Sequence, residues 1–205
     1  MRVLGLDLST RPGWSFFEGD QLVSFGNLSL DKTIYEYGMY PWNYVGATED
    51  VGALLFDKVL ELNPDVVVIE ETNLGKSRYA QKTLEFIHLD VLRRLRRWMQ
   101  ERPDREVIYL SSSSWRQALG LQMSKEDKKN NAKLAKAKKK AEEWGVKLDK
   151  KAIGVKGKIN KKHVALRFVN ETFGLNLKVK QNDAADAICL AAAYIAGATP
   201  CDGKM

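Results

Sequence analysis

Cysteine is scarce: Cys189 and Cys201 are the only two among 205 residues, and there are only two histidines. Two thiols near one end make no disulfide framework, and no Cys/His spacing suggests a zinc site. Cys189 is expected to pack as a small apolar residue on a C-terminal helix, in a reducing compartment and hence the cytoplasm. Long apolar runs are missing as well. Nothing approaches the roughly 20 consecutive apolar residues of a membrane span, so no membrane partner is expected. Met1-Arg2 leads straight into a strand with an acid at its end, which does not read as a signal peptide. Internal repeats are absent. What remains is ordinary globular composition, 44% hydrophobic and 29% charged, long enough for a single domain over residues 1–205.

The charge is lopsided. The net charge is +7, yet residues 124–162 alone hold 15 lysines against five acids, a surplus of ten that leaves the rest of the chain at −3. A near-neutral body with one basic block favours a polyanionic partner. The bland alternative is a solvated lysine-rich helix with no partner.

In chain order, residues 2–8 form a short apolar strand and Ser9-Thr10-Arg11-Pro12-Gly13 a loop. Residues 14–17 and 22–28 read as a hairpin around Glu18-Gly19-Asp20-Gln21, giving three antiparallel strands at the start. Residues 31–44 read as an irregular connection. Helical spacing of Val51, Leu54, Leu55, Val59 and Leu62 predicts a helix over 48–62, stopped by Asn63-Pro64. A buried strand, 66–70, and a polar loop, 71–77, follow. Residues 79–101 form a long amphipathic helix with Leu84, Ile87, Val91, Leu92, Leu95 and Trp98 inward. Another strand, 107–110, leads through a serine run into a short helix with Ser114 as its expected N-cap. Residues 124–144 favour helix, 146–162 a flexible loop, and 162–173 and 182–196 two further helices. Strand–helix–strand alternation in the middle implies a parallel part joined to the hairpin, an α/β mixed sheet of five strands flanked by helices.

Four acids stand out in this frame. Asp7 closes the apolar run Val3-Leu4-Gly5-Leu6, and Glu70 closes Val66-Val67-Val68-Ile69. Asp183 and Asp186 open the last helix three residues apart, on one face. Acids in a first turn suit the helix dipole, and Asn182 or Asp183 suits the N-cap equally well. Like charges gathered at strand ends are costly unless a cation binds them. With oxygen ligands only, that cation would be Mg²⁺ or Mn²⁺. Two such ions about 3.5–4 Å apart can stabilise both the attacking and the leaving oxygen of a phosphodiester.

Gly5-Leu6-Asp7-Leu8-Ser9, Ile69-Glu70 and Asp183-Ala184-Ala185-Asp186-Ala187, in that order, resemble the motifs of the RuvC-type Holliday junction resolvases of the RNase H-like superfamily. The resemblance covers the whole chain in motif order and is close only at these sites. It implies an RNase H-like fold and an endodeoxyribonuclease that resolves four-way DNA junctions by paired phosphodiester hydrolysis. The four catalytic, metal-binding acids would be Asp7, Glu70, Asp183 and Asp186, with two Mg²⁺ ions per site (Mn²⁺ able to substitute). Glu70 is preferred to Glu71, which points to the opposite face of its strand. The DNA-binding cations would be Lys76, Arg78, Arg116, Lys161 and Lys162. A two-fold homodimer follows from the symmetry of a four-way junction.

Two departures stand beside the resemblance. Where the bacterial enzymes carry an aromatic three residues after the catalytic Glu, this chain has Asn73, which leaves Tyr79 as a substitute. Residues 124–160 look like a lysine-rich helical insertion, closer to a divergent bacteriophage or poxvirus-like form, with a host cytoplasm as its place of action. Three other readings compete. One is a broader branched-DNA or flap endonuclease, and another is a non-cleaving nucleic-acid-binding protein on the same fold. In the third, Asp7-Leu8-Ser9-Thr10 is the first phosphate loop of an actin-like sugar kinase, for which the chain is too short.

Overall fold

The computed structural model describes residues 1–30, 32–72, 78–149, 152, 154–155 and 157–201, with the backbone alone for Ile34 and Tyr35. Three strands, β1 (Arg2–Asp7), β2 (Gly13–Glu18) and β3 (Gln21–Asn27), form the expected antiparallel start. β4 (Val66–Glu70) pairs parallel with β1, and β5 (Glu106–Leu110) parallel with β4, giving a five-stranded mixed sheet in the order β3-β2-β1-β4-β5. The carboxyl ends of β1, β3, β4 and β5 therefore share one edge.

Helices α1 (Trp42–Leu62) and α2 (Arg78–Glu101) cover one face. Leu4, Leu6, Val67 and Ile69 of the sheet meet Val51, Leu55, Ile87, Val91, Leu95 and Trp98 there. The other face carries α6 (Asn182–Ile195), with α5 (Lys161–Phe173) and Trp115 of α3 (Ser112–Ala118) packed around it. Each such Val, Leu or Ile taken fully out of water contributes about 1.5–3 kcal/mol. Cys189 lies in this second core, as its place in the sequence suggests.

Three expectations need correction. The connection over residues 31–44 is partly regular: a 3-10 turn spans Ile34–Tyr37, and α1 begins at Trp42, six residues early. Its inner face starts with Tyr44, Ala47 and Thr48, whose helical spacing is hidden when only aliphatic side chains are counted. The α3 cap is Ser111, whose Oγ accepts the Ser114 N–H at 3.0 Å; β5 ends at Leu110, so the first extended serine takes the cap. Leu92 of α2 faces outward, 38% exposed.

The lysine-rich segment is anchored at its base. α4 (Lys125–Glu143) opens with a capping box between Ser124 and Asp127, and Asp127 also accepts Arg167 of α5 at 3.0 Å. Asn131 holds both backbone groups of Ile159, accepting its N–H at 2.9 Å and donating to its carbonyl at 2.7 Å. Leu134 and Val155 are buried. The described part of the 146–162 loop is thus tied to α4 just before Asn160 caps α5. Among the described residues, no helix is long and apolar enough to cross a membrane.

Candidate active site

Strand parity decides which acids meet. Successive strand residues point to opposite faces. Val3, Val66 and Val68 pack under α6, while Leu4, Leu6, Val67 and Ile69 pack under α1 and α2. By the same alternation Asp7 and Glu70 face α6. Leu6 lies opposite Ile69 in the parallel β1–β4 pair, so the two acids stand side by side at the sheet edge. Glu71 turns the other way, where its charge acts on His88 and Tyr109.

Small residues let α6 lie against the sheet backbone. A Cβ on Gly5 would strike the Ala187 carbonyl oxygen, and one on Gly13 the Asp183 carbonyl. The buried Ser15 hydroxyl donates to the Ala187 carbonyl at 2.8 Å. Gly13 is the register partner of Asp7. The contact that seats the start of α6 therefore also brings Asp183 to Asp7. A 3-10 turn, Val179–Gln181, leads into the helix, and the N-cap position is Gln181 without a side-chain cap. Neither Asn182 nor Asp183 serves as the cap. Instead Asp183 Oδ1 accepts from Asn182 Nδ2 and from Lys162 Nζ, the latter at 3.2 Å.

The four acids share one electrostatic environment. Burial pushes the Asp7 carboxyl well above the usual range, and the charges of Asp186, Glu70 and Asp183 push it further, with Lys162 opposing. Burial likewise raises Asp186 to about 7 against the pull of Arg116, with Glu70 adding to the rise. Arg116 Nη2 stands 3.6 Å from Asp186 Oδ1, an ion-pair contact without a hydrogen bond. That buried oxygen makes no hydrogen bond in the structure. Trp115 Nε1 donates to Glu70 Oε1 at 3.3 Å, and the Arg116 guanidinium lies 3.9 Å over the Trp115 ring.

In chemistry this donor set fits a hard divalent cation: oxygen only, crowded, with Asp186 buried and the other three half-buried, and with one orphaned atom. In geometry it is not yet gathered. Among the described residues, no group of three or more His, Cys, Asp or Glu side chains is placed to hold a metal ion. Lys162 and Arg116 supply the positive charge that the acids face.

The expected cations divide four ways. Arg116 and Lys162 reach the acids. Lys161 contributes its backbone carbonyl, which accepts from Arg116 Nη1 at 3.2 Å, while its side chain is exposed. Arg78 opens α2 as an exposed residue with no partner among the described residues. Lys76 and Asn73 lie outside the described residues. Sequence reasoning misses the parts played by Gly13, Ser15 and Trp115; the available signal is the row of small residues at alternate positions of β1 and β2.

No protein-family model matches this chain, and no curated protein matches it in sequence. Solved structures do. RuvC of Thermus thermophilus in complex with Holliday junction substrate is 16% identical, with 98% of this chain and 99% of that chain covered at a TM-score of 0.58. The fold is that of RuvC. The yeast mitochondrial Holliday junction resolvase is similar over 95% of this chain and 77% of that one, at 13% identity and a TM-score of 0.51. Fowlpox virus resolvase overlaps more loosely, at 11% identity over 95% of this chain and 97% of that one, with a TM-score of 0.43. The likeness to the Thermus and yeast proteins is one of fold at low sequence identity, and the mixed sheet flanked by helices is the RNase H-like architecture expected from the motifs.

Proposed function

We propose that this chain is a metal-dependent endodeoxyribonuclease that cuts branched DNA, four-way junctions above all, by hydrolysing a phosphodiester in each of two symmetry-related strands. The observation that carries the reading is that the charges of Glu70, Asp183 and Asp186 act on Asp7, and those of Glu70 and Asp183 on Asp186, at the carboxyl edge of a RuvC fold. These four residues would hold Mg²⁺, or Mn²⁺ in its place, two ions per site. When bound, such ions supply a nucleophile from water and charge neutralisation at the phosphate.

The chain's own groups do the rest. Trp115 orients Glu70, and the seating of α6 on Gly13 orients Asp183. Lys162 and Arg116 offset the repulsion of the acids while DNA is absent, and they are placed to donate to a phosphate oxygen once the acids are neutralised otherwise. Exposed lysines of α4 draw the polyanion in without reading its sequence. Two copies acting as a homodimer would supply the paired cuts. A second reading, a non-cleaving DNA-binding protein on the same fold, is favoured by one observation: the acids are not gathered around a common point.

Incubation of labelled four-way, flap and linear duplex DNAs with Mg²⁺, beside an Asp7→Asn control, separates the readings. Paired symmetric nicks confined to the four-way junction are expected. Asp7→Asn should lose about 10³-fold or more of the rate while still binding the junction. Cutting of flaps as well would mean a general branched-DNA nuclease. Binding without cutting in either metal would leave the binding protein.

A further inference from the structure

On the other face of the sheet, across the loop that follows Asp7, a cleft of about 310 Å³ opens between the N-terminal halves of α1 and α2. That volume is at the small end of ligand pockets, suited to one nucleotide-sized group. Its lining falls into three kinds. Leu30, Ala47, Val51 and Ile87 provide an apolar floor. Threonines, among them Thr48 and Thr83, provide hydroxyls. Thr48 Oγ1 donates to the Tyr44 carbonyl at 2.8 Å and Thr83 Oγ1 to the Tyr79 carbonyl at 3.0 Å, so both present their lone pairs to a donor from the ligand. Arg11 and Lys32 provide charge at the mouth, and no described lining residue is acidic. The Arg11 guanidinium has no partner among the described residues, and Lys32 lies 5.7 Å from the Tyr37 ring.

An apolar slot with hydroxyl acceptors and two cations at its mouth, of which Lys32 also feels the charge of Glu36, suits a flat, hydrogen-bonding group that carries an anion. We propose that this cleft binds one nucleotide, its base among Ala47, Thr48, Val51, Thr83 and Ile87 and its phosphate at Arg11 and Lys32. Resting on the nuclease reading, the natural source is a nucleotide extruded from the DNA beside the cut, because Arg11 lies four residues beyond Asp7 at the same sheet edge. Extrusion costs least where bases are already unpaired, as at a branch point. A free mononucleotide has the same chemistry.

Two measurements on the full chain distinguish the sources. In the first, methyl NMR of Val51, Leu30 and Ile87 follows titration with dAMP or dTMP. In the second, 2-aminopurine emission is read from a four-way junction labelled near its centre, with no divalent metal added. Arg11→Ala/Lys32→Ala changes only exposed side chains and should fold normally, while Thr48→Phe fills the slot. The proposal expects a rise in emission with the native chain, reduced by both variants, with binding to the labelled strand weakened about tenfold or more when the cations are removed. Methyl shifts with free nucleotide alone would assign the cleft to a free ligand. Silence in both measurements would overturn the proposal, and cutting of junctions would then still stand. Nucleotide binding without any junction binding would keep the cleft and remove the nuclease reading.

Discussion

The acid cluster and the lysine helix are opposite solutions to placing charge. Asp7, Glu70, Asp183 and Asp186 come from three elements far apart in sequence, and Asp186 is 5% exposed. The lysines of α4 are contiguous in sequence and exposed, and only the base of the helix is tied down. Partial burial makes each acid count individually, because repulsion is strong where water screens it poorly. Exposure makes each lysine nearly interchangeable with the next, and only their number matters. A displacement of about an ångström should therefore be severe at the first region and negligible at the second.

Gly13→Ala strikes the acid cluster through the backbone, with the largest effect expected of a change outside the acids themselves. The new Cβ meets the Asp183 carbonyl and the Ala184 nitrogen, which are backbone atoms that cannot rotate away. The start of α6 must move off β2, taking Asp183 from Asp7. A misplacement of this order costs about 10²-fold in rate, and overpacking costs about 1–3 kcal/mol in stability. Single-turnover cleavage, with circular dichroism to confirm folding, reads both. Cleavage at the native rate in a folded Gly13→Ala chain would show that the backbone contact does not position the acids.

A pH dependence follows from the same burial. Asp7 and Asp186 have folded-state pKa values above those of the unfolded chain, Asp186 at about 7. Between about pH 4 and 7 the folded chain then holds protons that the unfolded chain has released, so stability falls as pH rises through that window. Each such group contributes about 1 kcal/mol per pH unit. Asp65 and Asp127, lowered by their hydrogen bonds to Arg2 and Arg167, act in the opposite sense below about pH 4, and His88, lowered by burial, does so below about pH 6.5, so the share of the acids is read from the difference that Asp186→Asn makes. Urea unfolding in EDTA from pH 4.5 to 8 should show the decline, and Asp186→Asn should flatten it. Mg²⁺ added at pH 7.5 should restore stability by binding the folded acids. An unchanged midpoint with Mg²⁺ would count against a metal centre here.

Much of the first region is legible in the sequence, because strand parity and the i, i+3 rule fix which way side chains point. Asp7, Glu70, Asp183 and Asp186 need only the correct strand neighbours to meet. What the sequence hides is contact made by backbone. Gly5 and Gly13 read as ordinary strand and loop glycines until α6 is laid over them, and Ser15 acquires its role only from the Ala187 carbonyl. The early start of α1 is hidden because Tyr44 and Thr48 bury polar side chains whose hydroxyls or rings do not read as apolar. In the second region the lysine count predicts a helix and a polyanion partner. The grip of Asn131 on Ile159 is invisible, since an asparagine amide can satisfy any peptide at any distance along the chain.

Substitution rather than deletion suits the lysine helix, because Asp127, Asn131 and Leu134 anchor the element that carries the lysines. Lys128, Lys133, Lys136 and Lys140 are exposed and form none of these anchors. Changing all four to Gln should leave stability within about 0.5 kcal/mol per site. The slope of log K against log salt for junction binding should flatten by about 0.9 for each phosphate no longer neutralised, with saturated cleavage unchanged. Any single Lys→Gln change should be hard to detect, unlike any single change among the acids. A native salt slope in the fourfold variant would assign these lysines to solubility alone. A lost single-turnover rate with binding intact would place them in the active site, and the two regions would no longer be separable.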